Sequence, residues 1–113
     1  MLTGHSLGGA LALLLAAKLC LIGRPPASVI TFGAPHVSIG GEMADLFDVA
    51  GLVPQMYRHG ADCVPLLPPT EFGWLHPAPL IPIGHPATGI LAGEVDHAVA
   101  RYCAALEMSA IPD

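Results

Sequence analysis

Charge is scarce in this chain. Among 113 residues, four are Lys or Arg and nine are Asp or Glu, a net charge of -5 with the histidines neutral. So few cations argue against nucleic acid or an anionic membrane surface as the partner. Cysteine is sparse too. Cys20, Cys63 and Cys103 lie far apart, are odd in number and form no C-x-x-C. That argues against a disulfide framework or a zinc site and predicts buried apolar thiols. The six histidines show no H-x-x-x-H or H-E-x-x-H spacing, so no metal is expected. There is no basic stretch before an apolar run at the start, hence no sign of a secretory leader. There is no internal repeat and no low-complexity tract. The apolar run from Leu7 to Ile22 holds Lys18, opens on Gly8-Gly9 and falls short of the ~20 residues a spanning helix needs. It predicts a helix buried against a sheet, and no transmembrane segment.

Apolar side chains, by contrast, are abundant. The chain is 53% hydrophobic with a mean hydropathy of +0.62. Its length suits one small domain, and its composition is that of core that expects more protein around it. Strand and helix signals alternate. Met1 to His5 reads as the stub of a strand, and Leu7 to Cys20 as an Ala/Leu helix stopped by Gly23-Arg24-Pro25-Pro26. Ser28 to Phe32 reads as a buried strand. Gly41 to Val49 reads as a helix with Met43, Leu46 and Phe47 on one face, and Val53 to His59 as a further strand. Asp62 to Gly89 is rich in Pro and Gly and predicts ordered loop, with one short strand at Leu80 to Ile83. A last helix is expected from Ala98 to Met108, with Val99, Tyr102, Cys103 and Leu106 on one face. This alternation predicts an α/β fold with a parallel sheet, its functional residues at the carboxyl ends of the strands.

Gly4-His5-Ser6-Leu7-Gly8 follows the first strand and opens the first helix. G-x-S-x-G in that setting is a nucleophile elbow, a serine on a strained strand-to-helix turn. Close backbone approach favours glycine on both sides of the serine. Ser6 is the candidate nucleophile, and the backbone N–H of Leu7 is a candidate oxyanion-hole donor, aided by the helix dipole. A serine hydroxyl needs a base, and the base needs an orienting acid, in the chain order serine, acid, histidine. Asp62 lies just past a predicted strand, where the acid belongs. His97 lies just before the last helix and is the candidate base. Asp96 is a weaker acid candidate, since it stands where a cap of the final helix is expected. His5, His36, His59, His76 and His85 compete with His97 on composition, but none combines its place with the right chain order.

Four ordered segments carry a resemblance. Thr3-Gly4-His5-Ser6-Leu7-Gly8-Gly9-Ala10-Leu11-Ala12 resembles the elbow of the class 3 lipases, a family of α/β-hydrolases. Thr31-Phe32-Gly33-Ala34-Pro35 is similar to that family's T-F-G-x-P turn. Asp62-Cys63-Val64-Pro65-Leu66-Leu67-Pro68-Pro69 is similar to its D-x-V-P-x-L-P-P segment, and Asp96-His97, with Tyr102 one position further on, to its D-H-x-x-x-Y segment. The resemblance implies a Ser6–His97–Asp62 triad, with His76 near the site. It also implies hydrolysis of carboxylic esters, glycerolipids in particular, through an acyl-enzyme and without cofactor or metal. His36, Ser38 and Leu66 depart from the family pattern, which puts loop contacts there in question. The family carries strands and helices ahead of the elbow, with a second oxyanion donor and often a lid. The resemblance therefore covers residues 1–113 as the C-terminal part of such a domain. Two consequences are expected: self-association through an uncovered sheet edge, and a rate lower by about 100-fold or more for want of one oxyanion donor. An inactive truncated hydrolase, and an acyltransferase using the same three residues, are the competing readings.

Overall fold

A computed structural model describes residues 1–110, with side chains through Glu107. Six strands and four helices run in the order β1 (Leu2–His5), α1 (Leu7–Leu21), β2 (Val29–Phe32), β3 (Ser38–Ile39), α2 (Glu42–Ala50), β4 (Gln55–His59), β5 (Trp74–Leu75), β6 (Leu80–Ile83), α3 (Ala92–His97) and α4 (Val99–Ala110). The principal sheet is parallel, in the order β1-β2-β4-β6. A separate antiparallel pair joins β3 to β5. The expected α/β architecture with a parallel sheet and flanking helices is what the chain adopts.

Alternation along β2 and β4 divides the sheet into two faces. Val29 and Met56 point to one face, where Ala12, Leu13 and Ala16 of α1 and Met43 and Phe47 of α2 close the core. Phe32, Tyr57 and His59 point to the other. There Phe32 stacks on Tyr57 with ring centroids 5.6 Å apart, and Tyr102 of α4 packs edge-on against Phe32 and His59. Helix α1 is apolar all round. Its inner side is buried, while Leu7, Leu11, Leu14 and Leu15 remain exposed, as in a helix built to be covered on more than one side. No helix among the described residues is long and apolar enough to cross a membrane.

Several expectations need correction. β4 starts at Gln55, after Pro54, because a strand paired on both sides cannot spare an N–H. Pro82 is accommodated in β6, an edge strand, for the same reason. The loop from Asp62 to Gly89 contains β5 and two short 3-10 turns, Val64–Leu66 and Thr70–Phe72. Helix α3 was not expected, and the inward side of α4 is Tyr102 with Ala105, whereas Val99 and Cys103 face solvent. The thiols are therefore not buried: Cys20 is half-buried, and Cys63 and Cys103 are exposed.

Candidate active site

All four parallel strands deliver a functional segment at their carboxyl ends. β1 runs into Ser6, β2 into Gly33, β4 into the turn that carries Asp62, and β6 into the segment leading to α3 and His97. Ser6 has φ 57° and ψ −124°, the only positive φ outside glycine among the described residues. A non-glycine residue held there costs about 1–3 kcal/mol, and such strain clusters at functional sites. Ser6 stands at the N-cap of α1, yet its side chain caps nothing. Its Oγ–H is directed at His97 Nε2 instead, at 2.8 Å. The elbow depends on Gly4, because a Cβ at that position would collide with the backbone of Gly8 and Gly9. The need for glycine after the serine falls on Gly9, whose Cβ would lie 2.8 Å from that of Ala34. A Cβ at Gly8 would meet open space.

His97 Nδ1–H donates to the carboxylate of Asp62, 2.9 Å from Oδ2 and 3.0 Å from Oδ1. This bond fixes the tautomer and leaves Nε2 free to accept from Ser6. Asp62 is fully buried and is held by two further donors. The Val64 amide reaches Oδ1 at 3.0 Å, and Tyr102 Oη–H reaches Oδ2 at 2.5 Å. Burial and this bond to Asp62 push the Tyr102 phenol well above its ordinary value, so Tyr102 stays a donor. Gly33 leaves room for the cluster: a Cβ there would stand 2.6 Å from Asp62 Oδ2 and 3.2 Å from His97 Nδ1. The three candidates singled out in the sequence thus meet in one hydrogen-bonded line, and the Leu7 amide follows Ser6 at the first turn of α1.

The other histidines sort by contact. His5 Nε2–H donates to the His97 carbonyl at 2.6 Å, its ring 4.8 Å from that of His97, so it braces the elbow against the His97 segment. The rings of His36 and His76 lie 4.0 Å apart, tilted by 33°, beside a cavity of about 430 Å³ that Pro65, Leu66 and Glu71 help to line. Ser6, Asp62 and His97 form no part of its wall. His76 donates from Nε2 to the Pro65 carbonyl, and burial with the nearby His36 depresses its pKa. Asp96 does not cap α4. It turns inward and accepts from the amides of Ala61 and Ala87. Among the described residues no group of three or more His, Cys, Asp or Glu is arranged to hold a metal. Tyr102, Gly33 and His5 lie within the family segments but were given no role in the site. Their contacts with Asp62 and His97 join segments from separate strands and depend on the fold.

A parallel sheet whose first described strand turns into a helix through a strained serine, with an imidazole and a carboxylate aligned behind it, defines an α/β-hydrolase. The chain belongs to the class 3 lipase family, described as Lipase (class 3), which it matches over residues 1–72. It is 41% identical over 83 residues to the lipase of Rhizopus niveus, covering 68% of this chain and 20% of that protein. It is 44% identical over 85 residues to the secreted mono- and diacylglycerol lipase 1 of Fusarium solani, covering 70% and 23%. Among solved structures, lipase II from Rhizopus niveus superposes with a TM-score of 0.60 at 36% identity, over 73% of this chain and 31% of that one. The chain thus spans about a fifth of the length of the curated relatives it matches.

Proposed function

We propose that the protein hydrolyses carboxylic esters of glycerolipids through Ser6, His97 and Asp62. The observation that carries this reading is His97, which accepts from Ser6 Oγ through Nε2 while donating to the buried Asp62 through Nδ1. Ser6 Oγ attacks the ester carbonyl carbon, and its proton passes to His97 Nε2. Asp62 stabilises the resulting imidazolium. The oxygen that gains charge is met by the Leu7 amide at the positive end of α1. As the intermediate collapses, His97 returns the proton to the departing alcohol and leaves an acyl-Ser6 ester. Water, deprotonated by His97, then attacks the acyl carbon, and as the C–Oγ bond breaks His97 returns that proton to Ser6 Oγ and the carboxylic acid leaves. The substrate class comes from the family and from relatives whose names are lipase and mono- and diacylglycerol lipase.

A fluorophosphonate probe tests the assignment. The protein is expected to be labelled at Ser6, with labelling lost in Ser6→Ala and reduced in His97→Ala. Labelling that persists in Ser6→Ala refutes it. We also propose that the chain by itself self-associates. Among the described residues β1 pairs on one side only, and five leucines of α1 lie exposed, a combination that invites edge pairing. Sedimentation of the 113-residue chain is expected to show concentration-dependent oligomers, and a monomer at all concentrations refutes that part.

A further inference from the structure

Asp96 is fully buried, one residue before His97, and takes no direct part in the proposed proton relay. Its Oδ2 accepts from the Ala61 amide at 2.8 Å and from the Ala87 amide at 2.9 Å. Its Oδ1 lies 3.3 Å from Nδ1 of the buried His59. One carboxylate thus gathers the end of β4, the turn into Asp62, the segment after β6 and helix α3. Burial alone would raise its pKa, but the two amides, His59 and the charge of Arg101 outweigh burial and hold it below the ordinary value. The group is therefore ionised at neutral pH. Gly60 completes the fit, since a Cβ there would lie 2.6 Å from Asp96 Oδ2.

The placement matters because of what is attached to each end. Ala61 is bonded covalently to Asp62, and Asp96 to His97. Helix α3 has six residues, too few to hold its position without tertiary anchoring. We propose that Asp96 is a positioning residue that sets the separation of the Asp62 carboxylate and the His97 imidazole by clamping the Asp62 turn to α3. The role rests on the hydrolase reading of the Ser6–His97–Asp62 cluster, but the geometry it controls can be read without turnover.

Two variants test it. Asp96→Asn keeps the shape and removes the charge. Gly60→Ala keeps the carboxylate and crowds its Oδ2 with a new Cβ, which also presses on the backbone of His85 and Pro86. Each is compared with the unaltered chain for kcat and KM on a soluble 4-nitrophenyl ester, and for the downfield NMR resonance of the His97 Nδ1 proton. Both variants are expected to lower kcat about 10- to 100-fold with KM within about twofold, on the scale of a misplacement below 1 Å. Both should also shift or broaden the resonance at temperatures where circular dichroism shows folded protein. Met56→Ala, a truncation in the core on the opposite face of the sheet, is expected to lower the Tm and leave the resonance in place. A folded Asp96→Asn or Gly60→Ala protein with unchanged kcat and an unmoved resonance overturns the proposal. So does an equal shift of the resonance in Met56→Ala. If Asp96→Asn fails to fold, Asp96→Glu, which keeps the charge and lengthens the reach to the Ala61 and Ala87 amides, decides by the same two readouts. A wild-type protein that shows the resonance but resists the fluorophosphonate sinks the hydrolase reading and leaves Asp96 to be judged by the NMR arm.

Discussion

Tyr102→Phe removes one hydroxyl at the heart of the site, which bonds Asp62 and also meets the His59 backbone. The substitution removes only the hydroxyl that reaches Asp62 Oδ2 at 2.5 Å and keeps the ring packed against Phe32, His5 and His59. Asp62 is fully buried, so the lost donor is not replaced by bulk water. A hydrogen bond to a charged group contributes about 1.5–3 kcal/mol, and that is the expected loss of unfolding free energy at pH 7. Tyr102 has a second signature in alkali. Its folded pKa lies above the ordinary 10.0, so the unfolded chain gives up the phenol proton first. The phenol's contribution is complete below pH 10 and declines as pH rises above it, by about 1.4 kcal/mol per pH unit. Tyr102→Phe should lack that decline. Urea unfolding at pH 7, 10 and 11 measures both effects. On the proposed mechanism kcat should also fall about 10-fold, the equivalent of about 1.4 kcal/mol in the transition state. A variant that unfolds within about 0.5 kcal/mol of the parent at pH 7, and that weakens in alkali just as the parent does, refutes this account of the Asp62 environment.

Three further outcomes are expected. Ser6→Gly removes the proposed nucleophile and relieves the positive φ of Ser6, so the protein should gain about 1–3 kcal/mol of stability as it loses probe labelling; a lower Tm would contradict the strain. Leu13 is fully buried in the α1 side of the core, and Leu13→Ala should cost about 2–5 kcal/mol by urea unfolding; a cost below about 1 kcal/mol would mean that the core is packed differently. His76 has a depressed folded pKa from burial and from His36. The unfolded chain therefore binds the proton first, and stability is complete above pH 6.5 and lost as pH falls below it. Comparing urea midpoints at pH 7.5 and 5.5, His76→Gln should show a smaller drop than the parent, and an equal drop would rule out His76 as a source.

Local chemistry alone determined a good deal of this protein. Turn residues bracket each strand, the Ala/Leu run makes α1, and Gly4-His5-Ser6-Leu7-Gly8 marks the elbow, because strand, turn and helix propensities act over a few neighbours. Chain order and the family's segments picked out Asp62 and His97 without coordinates. What lies in the long proline-rich loop could not be read in the same way. β5 has two residues that pair with β3, and α3 has six, so neither carries a periodic signal long enough to see. The inward side of α4, the exposure of Cys63 and Cys103, and the turning of Asp96 from expected cap to buried clamp were settled by packing. Each depends on which distant segment arrives at that spot. The same holds for Tyr102 on Asp62 and His5 on the His97 carbonyl. These contacts span 40 and 92 positions and exist only once the parallel strands have brought their carboxyl ends together.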